Sequence, residues 1–96
     1  MNSILSNDAC CYICGRTEPL HKHHIYPGYG NRQRSEKHGC WVYLCPEHHN
    51  VGRFSVHLNN ELDLKLRKIC QRAFEKTHSR EEFIKTFGKS YILEED

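Results

Sequence analysis

Cysteine and histidine are the residues that most constrain this sequence, with six cysteines and eight histidines among 96 residues. This is roughly three times the share expected of an average protein. Only 38% of the residues are hydrophobic, and a chain this short buries a modest fraction of its surface. The composition therefore indicates that metal ligands help apolar burial to stabilise the fold. The length excludes a two-domain enzyme, and no run of about 18 apolar residues could span a bilayer.

The N-terminal residues 1–14 indicate the cellular compartment, and the compartment decides whether cysteines bind metal or form disulfides. They contain neither the basic region nor the long apolar stretch of a signal peptide. We therefore expect a cytoplasmic protein with no membrane contact, because paired cysteines in a reducing compartment bind metal more often than they form disulfides. The alternative is a secreted disulfide protein without its signal, which leaves the eight histidines unexplained.

The N-terminal half has strand and loop character. We predict a flexible N-terminus over residues 1–9 and a single domain over residues 10–96. His24–Tyr26 is typical of a short strand ended by proline, and residues 27–39 are typical of a loop because they are rich in glycine, polar and charged residues. Residues 41–44 (WVYL) are the best strand of the chain, since aromatic and β-branched residues favour strands.

The C-terminal half has helical character. After Val56, the apolar residues recur at helical spacing on one face, with His57 at the predicted start of the helix and Asn59 or Asn60 as its cap. A helical extension is predicted over residues 79–93. It begins with the capping-box pattern of Ser79 and Glu82 and includes a stop at Gly88. The acidic residues 94–96 are expected to fray.

Two short pairs of ligand residues predict a zinc site. Cys11 and Cys14 form one pair, Cys45 and His48 form the other, and a two-residue gap lets each pair straddle one side of a tetrahedral ion. A sphere closed by protein ligands is typical of structural zinc, which could supply much of the folding free energy. Cys10 competes with Cys11 for the first position. Cys40 and Cys70 have no partners at ligand spacing and are expected to be small buried side chains.

The remaining histidines predict a second site. The five that could act together are His21, His23, His24, His49 and His57. Adjacent residues of a strand point to opposite faces. We therefore expect His23 and His24 to divide the work between a metal ligand and a base, because they cannot simply be two ligands of one ion.

These motifs together resemble the HNH endonucleases, and most closely the small HNH proteins of phages and prophages. The resemblance covers residues 11 to about 60 and rests on His23-His24-Ile25-x-Pro27, Leu44-Cys45-x-x-His48-His49 and Val56-His57. Cys11-x-x-Cys14 matches the zinc-containing branch of that superfamily. The resemblance implies an α+β fold of the ββα-metal type, with the zinc knuckle and ββα-metal core over residues 11–77.

Roles for single residues follow from the resemblance. It implies that His24 is the general base and that His23, His49 and His57 hold one catalytic divalent ion. Cys40 occupies the place of the family's central Asn and cannot orient the base through an amide carbonyl. The gap between His49 and His57 is also longer than usual, so Asn50 is an alternative third ligand.

The charge distribution is compatible with a nucleic-acid partner. The formal net charge is +2, and the excess falls in the first 60 residues, where six basic residues face four acidic ones. We expect the basic residues near the histidines to contact phosphates without reading sequence, namely Arg32, Arg34, Lys37 and Arg53. An ordinary solvated loop explains the charges about equally well.

These expectations combine into one function. The resemblance implies a metal-dependent DNA endonuclease of low sequence specificity, acting as a monomer or homodimer in a bacterial host cell, with phage packaging proteins as possible partners. A neutral histidine can take a proton from water near neutral pH. Beside the structural Zn²⁺, the catalytic ion could be Mg²⁺, Mn²⁺, Ni²⁺ or Zn²⁺, and histidine ligands favour the softer ions. The alternative is a catalytically inactive zinc-knuckle module that binds nucleic acid.

Overall fold

Two short antiparallel strands and three helices make up the fold of the computed structural model, which describes residues 1–93. The strands are β1 (His21–His24) and β2 (Trp41–Leu44), and the helices are α1 (Asn31–His38), α2 (Asn60–Phe74) and α3 (Arg80–Phe87). A short π-helix, Glu47–Val51, follows β2. The predicted small α+β class is confirmed at this level. The acidic residues 94–96 lie outside the described part of the chain, and so does their expected fraying.

The two strands form a β-hairpin sheet in which His21 pairs with Leu44 and His24 with Trp41. The predicted strand over residues 41–44 is confirmed. The first strand lies three residues earlier than His24–Tyr26, because Ile25 and Tyr26 turn into the core, where each is 1% exposed. The strand therefore carries three of the chain's histidines.

Helix α1 replaces the loop that the sequence predicted over residues 27–39. Its eight residues have no apolar stripe, and Ser35 is the buried residue among them. Gly30 and Gly39 bracket the helix with φ angles of 85° and 73°, a left-handed conformation that glycine adopts without steric cost. The prediction was wrong because a solvent-facing polar helix lacks the periodicity from which helices are recognised.

Helices α2 and α3 close the core. The side chain of Asn59 accepts a hydrogen bond from the Leu62 amide and caps α2, so that His57 lies in the turn before the helix rather than at its start. The capping box of Ser79 and Glu82 and the left-handed Gly88 bound α3 as predicted. Their apolar faces meet the strands in one cluster that includes Tyr26, Leu66, Cys70, Phe74, Phe83 and Phe87.

The N-terminal residues contact β2. The Ser3 hydroxyl donates to the Trp41 carbonyl at 2.6 Å, and the Ile4 amide donates to the Gly39 carbonyl at 2.9 Å. Within residues 1–93, no helix combines the length and apolar character that crossing a bilayer requires.

Phe83 is a fully buried aromatic residue of this core. It is 0% exposed, and its ring lies 5.2 Å from that of Tyr26 and 5.5 Å from that of Phe74. Phe83→Ala should lower the free energy of unfolding by about 3–5 kcal/mol, because it leaves a cavity. Ile84→Ala, at a 39% exposed position of the same helix, is the control for urea denaturation. Equal losses in the two variants would contradict this packing.

Candidate metal centres

The four predicted knuckle residues lie together, and two of them, Cys45 and His48, follow directly after β2. One ligand atom from each of Cys11, Cys14, Cys45 and His48 lies within 4.8 Å of those of the other three. All six cysteines of the chain are free thiols. Cys10 is outside this group, so the structure selects Cys11 for the first position.

The separations of these atoms fit a zinc ion. The sulfurs of Cys14 and Cys45 are 3.7 Å apart, and His48 Nδ1 lies 3.4 Å from the sulfur of Cys45 and 3.9 Å from that of Cys11. Tetrahedral zinc, with Zn–S of about 2.3 Å and Zn–N of about 2.0–2.1 Å, separates two sulfurs by about 3.8 Å and sulfur from nitrogen by about 3.6 Å. The Cys/His cluster could therefore hold a structural zinc.

Local backbone geometry builds this cluster. The Gly15 amide donates to the Cys11 carbonyl at 2.9 Å, and Gly15 has a φ of 82° that ends the first turn. The amide of His48 donates to the Cys45 carbonyl at 3.1 Å and closes the second turn. Burial opposes ionisation of the Cys11 thiol, but hydrogen bonds from the backbone of Cys45, Cys14 and Ile13 outweigh it and lower the pKa to about 6. A thiolate is the form that binds metal.

The cysteines at positions 40 and 70 are buried, as expected. Both are 0% exposed. A hydrogen bond to Cys70, followed by burial, raises the pKa of the Cys40 thiol. Cys40 is therefore a neutral core side chain, and it offers no group that could orient a catalytic histidine.

Three histidines form a second group, about 4.8–5.5 Å apart between ring centroids. One ring nitrogen from each of His23, His49 and His57 lies within 4.8 Å of the others. They come from β1, the π-helix and the turn before α2. The long loop between His49 and His57 returns to the site, because the His57 amide donates to the His49 carbonyl at 3.3 Å. Asn50, the alternative ligand, is exposed on the π-helix.

The buried imidazole of His23 tests whether this group fits a metal ion. His23 is 5% exposed, and its Nε2 is buried with no hydrogen-bond partner among residues 1–93. A buried polar atom without a partner costs free energy. Burial, reinforced by the charges of His49 and His57, lowers the pKa of His23 to about 3. The imidazole is therefore neutral at neutral pH, as coordination requires.

His21 contacts this group, although the sequence assigned it no role. Its Nδ1 lies 2.9 Å from Nδ1 of His49, so that one ring donates and the other accepts. The contact occupies Nδ1 of His49 and leaves Nε2 as its free ring nitrogen. Alternation along β1 could have indicated this, because His21 and His23 share a face of the strand.

His24 lies beside the three histidines on the same cavity. The cavity has a volume of about 350 Å³, and its lining includes His23, His24, His49 and His57. The side chain of His24 is 17% exposed, and its Nε2 lies 2.9 Å from Oε2 of Glu36. Four histidines therefore line one cavity, and Nε2 of the fourth, His24, contacts a carboxylate.

The structure places the four predicted basic residues in different surroundings, and one of them lines the cavity. Arg32 lines the cavity. Arg34 donates to the Asn31 side chain at 2.9 Å, and Lys37 is exposed on the same helix. The guanidinium of Arg53 lies 5.5 Å from the ring of Phe54, in the loop before His57.

A further arginine lines the cavity from α2, and sequence reasoning missed it. Arg67 is paired with Asp63, and its Nε is buried without a hydrogen-bond partner in the described part of the chain. No signal in the sequence points to it, because a helix face rich in lysine and arginine resembles an ordinary solvated surface.

Comparison of the chain with protein-family models, curated proteins and solved structures found no match in any of the three. The fold and the sites nevertheless define a coarse class. The protein is a small α+β domain with a Cys/His cluster that could bind zinc, and it is compatible with a zinc-binding HNH-like module.

Proposed function

We propose that this protein is a metal-dependent endonuclease that hydrolyses phosphodiester bonds of DNA, with a structural zinc in the cysteine cluster. One observation carries the proposal, namely the convergence of His23, His49 and His57 around the unpartnered Nε2 of His23 on the cavity that His24 also lines. The resemblance to HNH endonucleases at these same residues agrees with it.

The histidines of the cavity would have separate roles in the hydrolysis. His23, His49 and His57 would hold one divalent ion, which when bound would polarise the phosphate and stabilise the charge of the leaving 3′ oxygen. His24 would take the proton of the attacking water at its free ring nitrogen, as a general base does. The Cys/His cluster lies apart from this cavity and would stabilise the fold.

The cavity walls supply positive charge for a phosphodiester backbone. Arg32 lines the cavity, and so does Arg67, whose guanidinium is paired with Asp63 of the same cavity wall. Guanidinium groups bind phosphate oxygens through paired N–H donors. Such contacts give salt-dependent affinity without sequence reading. We therefore propose DNA of low sequence specificity as the substrate. A single site makes one nick, so a double-strand break would need a homodimer or two encounters.

A second candidate function is a zinc-knuckle module that binds nucleic acid without cleaving it. The observation that favours it is the position of Cys40, which is sealed in the core where HNH relatives have an orienting Asn. The unpartnered Nε2 of His23 argues against this candidate, because a pure binding module has no need of a buried, unsatisfied imidazole.

Plasmid nicking by the His49→Ala variant tests the proposal. Zinc-loaded wild-type protein should nick supercoiled plasmid only after Mn²⁺, Mg²⁺ or Ni²⁺ is added. His49→Ala should lose more than about 100-fold in affinity for the added ion, since outer-shell changes alone cost 10- to 100-fold. The control is His78→Ala, which removes an exposed histidine stacked on Phe74. Wild-type protein that keeps one zinc and cleaves no plasmid with any of the added ions would support the binding module instead.

A further inference from the structure

Side chains alternate along β1, so that one face of the strand contacts the histidine group and the other contacts Glu36. His21 and His23 lie on one face, where both contact the ring of His49 at centroid distances of 5.1 and 5.3 Å. Lys22 and His24 lie on the other face, and both reach the carboxylate of Glu36 in α1. The two faces therefore give their histidines different partners, while His24, the last residue of the strand, still lines the same cavity as His23.

The Glu36 carboxylate is shared between these two groups. Lys22 Nζ lies 2.9 Å from Oε1 and 3.3 Å from Oε2, while His24 Nε2 lies 2.9 Å from Oε2. Lys22 is itself held over the ring of Trp41, with its nitrogen 4.1 Å from the ring centroid. The carboxylate is thus bound by a lysine whose ammonium group also contacts Trp41, and its Oε2 faces His24.

Glu36 is suited to accept a hydrogen bond. The hydrogen bond from Lys22, and then the one from His24, lowers the pKa of the Glu36 carboxyl below its ordinary value. An ionised carboxylate can only accept hydrogen bonds. The proton in this contact therefore lies on Nε2 of His24, and in the neutral imidazole this makes Nδ1 the nitrogen with the lone pair.

We propose that Glu36 is a positioning residue for His24, holding its ring in the orientation and the Nε2–H tautomer that leave Nδ1 free to accept a proton. This inference rests on the proposed function. It gives α1 a role in the site, and it supplies the orienting group that Cys40 cannot provide. The chemistry matches the general arrangement in which a carboxylate fixes the tautomer of a histidine base.

A surface ion pair with Lys22 is the simpler account of Glu36, whose side chain is 45% exposed. Exposed pairs contribute little to stability, so on that account the removal of Glu36 changes neither cleavage nor the state of His24. The two accounts therefore differ in whether the removal of Glu36 changes the orientation and tautomer of His24, and a test must measure that change.

Single-turnover cleavage of plasmid by Glu36→Ala is the kinetic test. We expect the rate to fall about 10- to 100-fold, as for other residues that orient a ligand or base, with unchanged plasmid affinity and unchanged ion affinity. Glu36→Gln keeps an acceptor oxygen and should lose less. Glu81→Ala makes the same change of charge at an exposed position of α3 and should cleave at the wild-type rate.

A double variant separates positioning from a general structural effect. In the His24→Ala background, Glu36→Ala should cause no further loss of the residual rate, because residues that act as a unit are not additive. Equal losses in both backgrounds would overturn the inference, and so would full activity of Glu36→Ala.

¹⁵N NMR of the His24 ring measures its tautomer, and this measurement does not depend on cleavage. The ¹⁵N shifts should report the Nε2–H tautomer in the wild type and a mixture of tautomers in Glu36→Ala. Identical shifts in the two proteins overturn the inference while the proposed function stands. Wild-type protein that cleaves no plasmid with any ion overturns the proposed function and the role of Glu36 with it.

Discussion

The Cys14→Ser protein is expected to bind no zinc tightly and to lose its cooperative unfolding transition. Cys14 is the exposed member of the cysteine cluster, so the substitution removes a ligand without leaving a cavity in the core. Structural zinc contributes roughly 10–16 kcal/mol of apparent binding free energy in small zinc-binding peptides. The whole stability of a domain is about 5–15 kcal/mol. Loss of one ligand therefore removes enough to unfold this domain.

A matched control lies four residues earlier in the chain. Cys10→Ser changes the same atom at a half-buried cysteine outside the cluster, and it should retain one zinc and the wild-type melting temperature. The measurements are zinc content after dialysis and thermal unfolding followed by circular dichroism. A Cys14→Ser protein that keeps its zinc and melts like the wild type would contradict the assignment of this cluster.

The His24→Ala variant should lose nearly all nicking of plasmid. General-base catalysis contributes about 10²–10⁴ in rate, so we expect a loss of that size. The side chain lines the cavity and lies outside the core cluster. Zinc content, helical signal and binding of the second ion should therefore all remain at wild-type levels.

The control for His24→Ala is His78→Ala, at an exposed position stacked on Phe74. Both variants remove one imidazole, so non-specific effects of histidine content on DNA binding cancel between them. If His24→Ala nicks plasmid at the wild-type rate, the general base is another residue and the role given to His24 is wrong.

The Cys/His cluster could be predicted from sequence because ligand spacing is local information. The pairs Cys11/Cys14 and Cys45/His48 each form a turn, and the structure brings the two turns together as the spacing suggested. The position of His57 depended on the path of a seven-residue loop, which spacing does not specify. Backbone contacts from Val56 and His57 to the π-helix return the loop to the site.

The residues around the second site were harder to predict, because Glu36 lies on a helix without an apolar stripe and Arg67 lies on the charged side of a predicted helix. Glu36 falls in the segment that the sequence predicts as a loop, and its contact with His24 exists because that segment is a helix. Arg67 reaches the cavity from a face of α2 that resembles any charged surface. Polar tertiary contacts of this kind leave no periodic signal.

The central claim is that a second divalent ion, distinct from the zinc, enables cleavage. The most direct measurement is a Mn²⁺ titration of zinc-loaded protein in which bound Mn²⁺ and plasmid nicking are followed in the same samples. Nicking is predicted to be absent without Mn²⁺, to rise with occupancy of a single site and to saturate when that site is full. Binding of Mn²⁺ without nicking, or nicking that does not follow occupancy, would contradict the account.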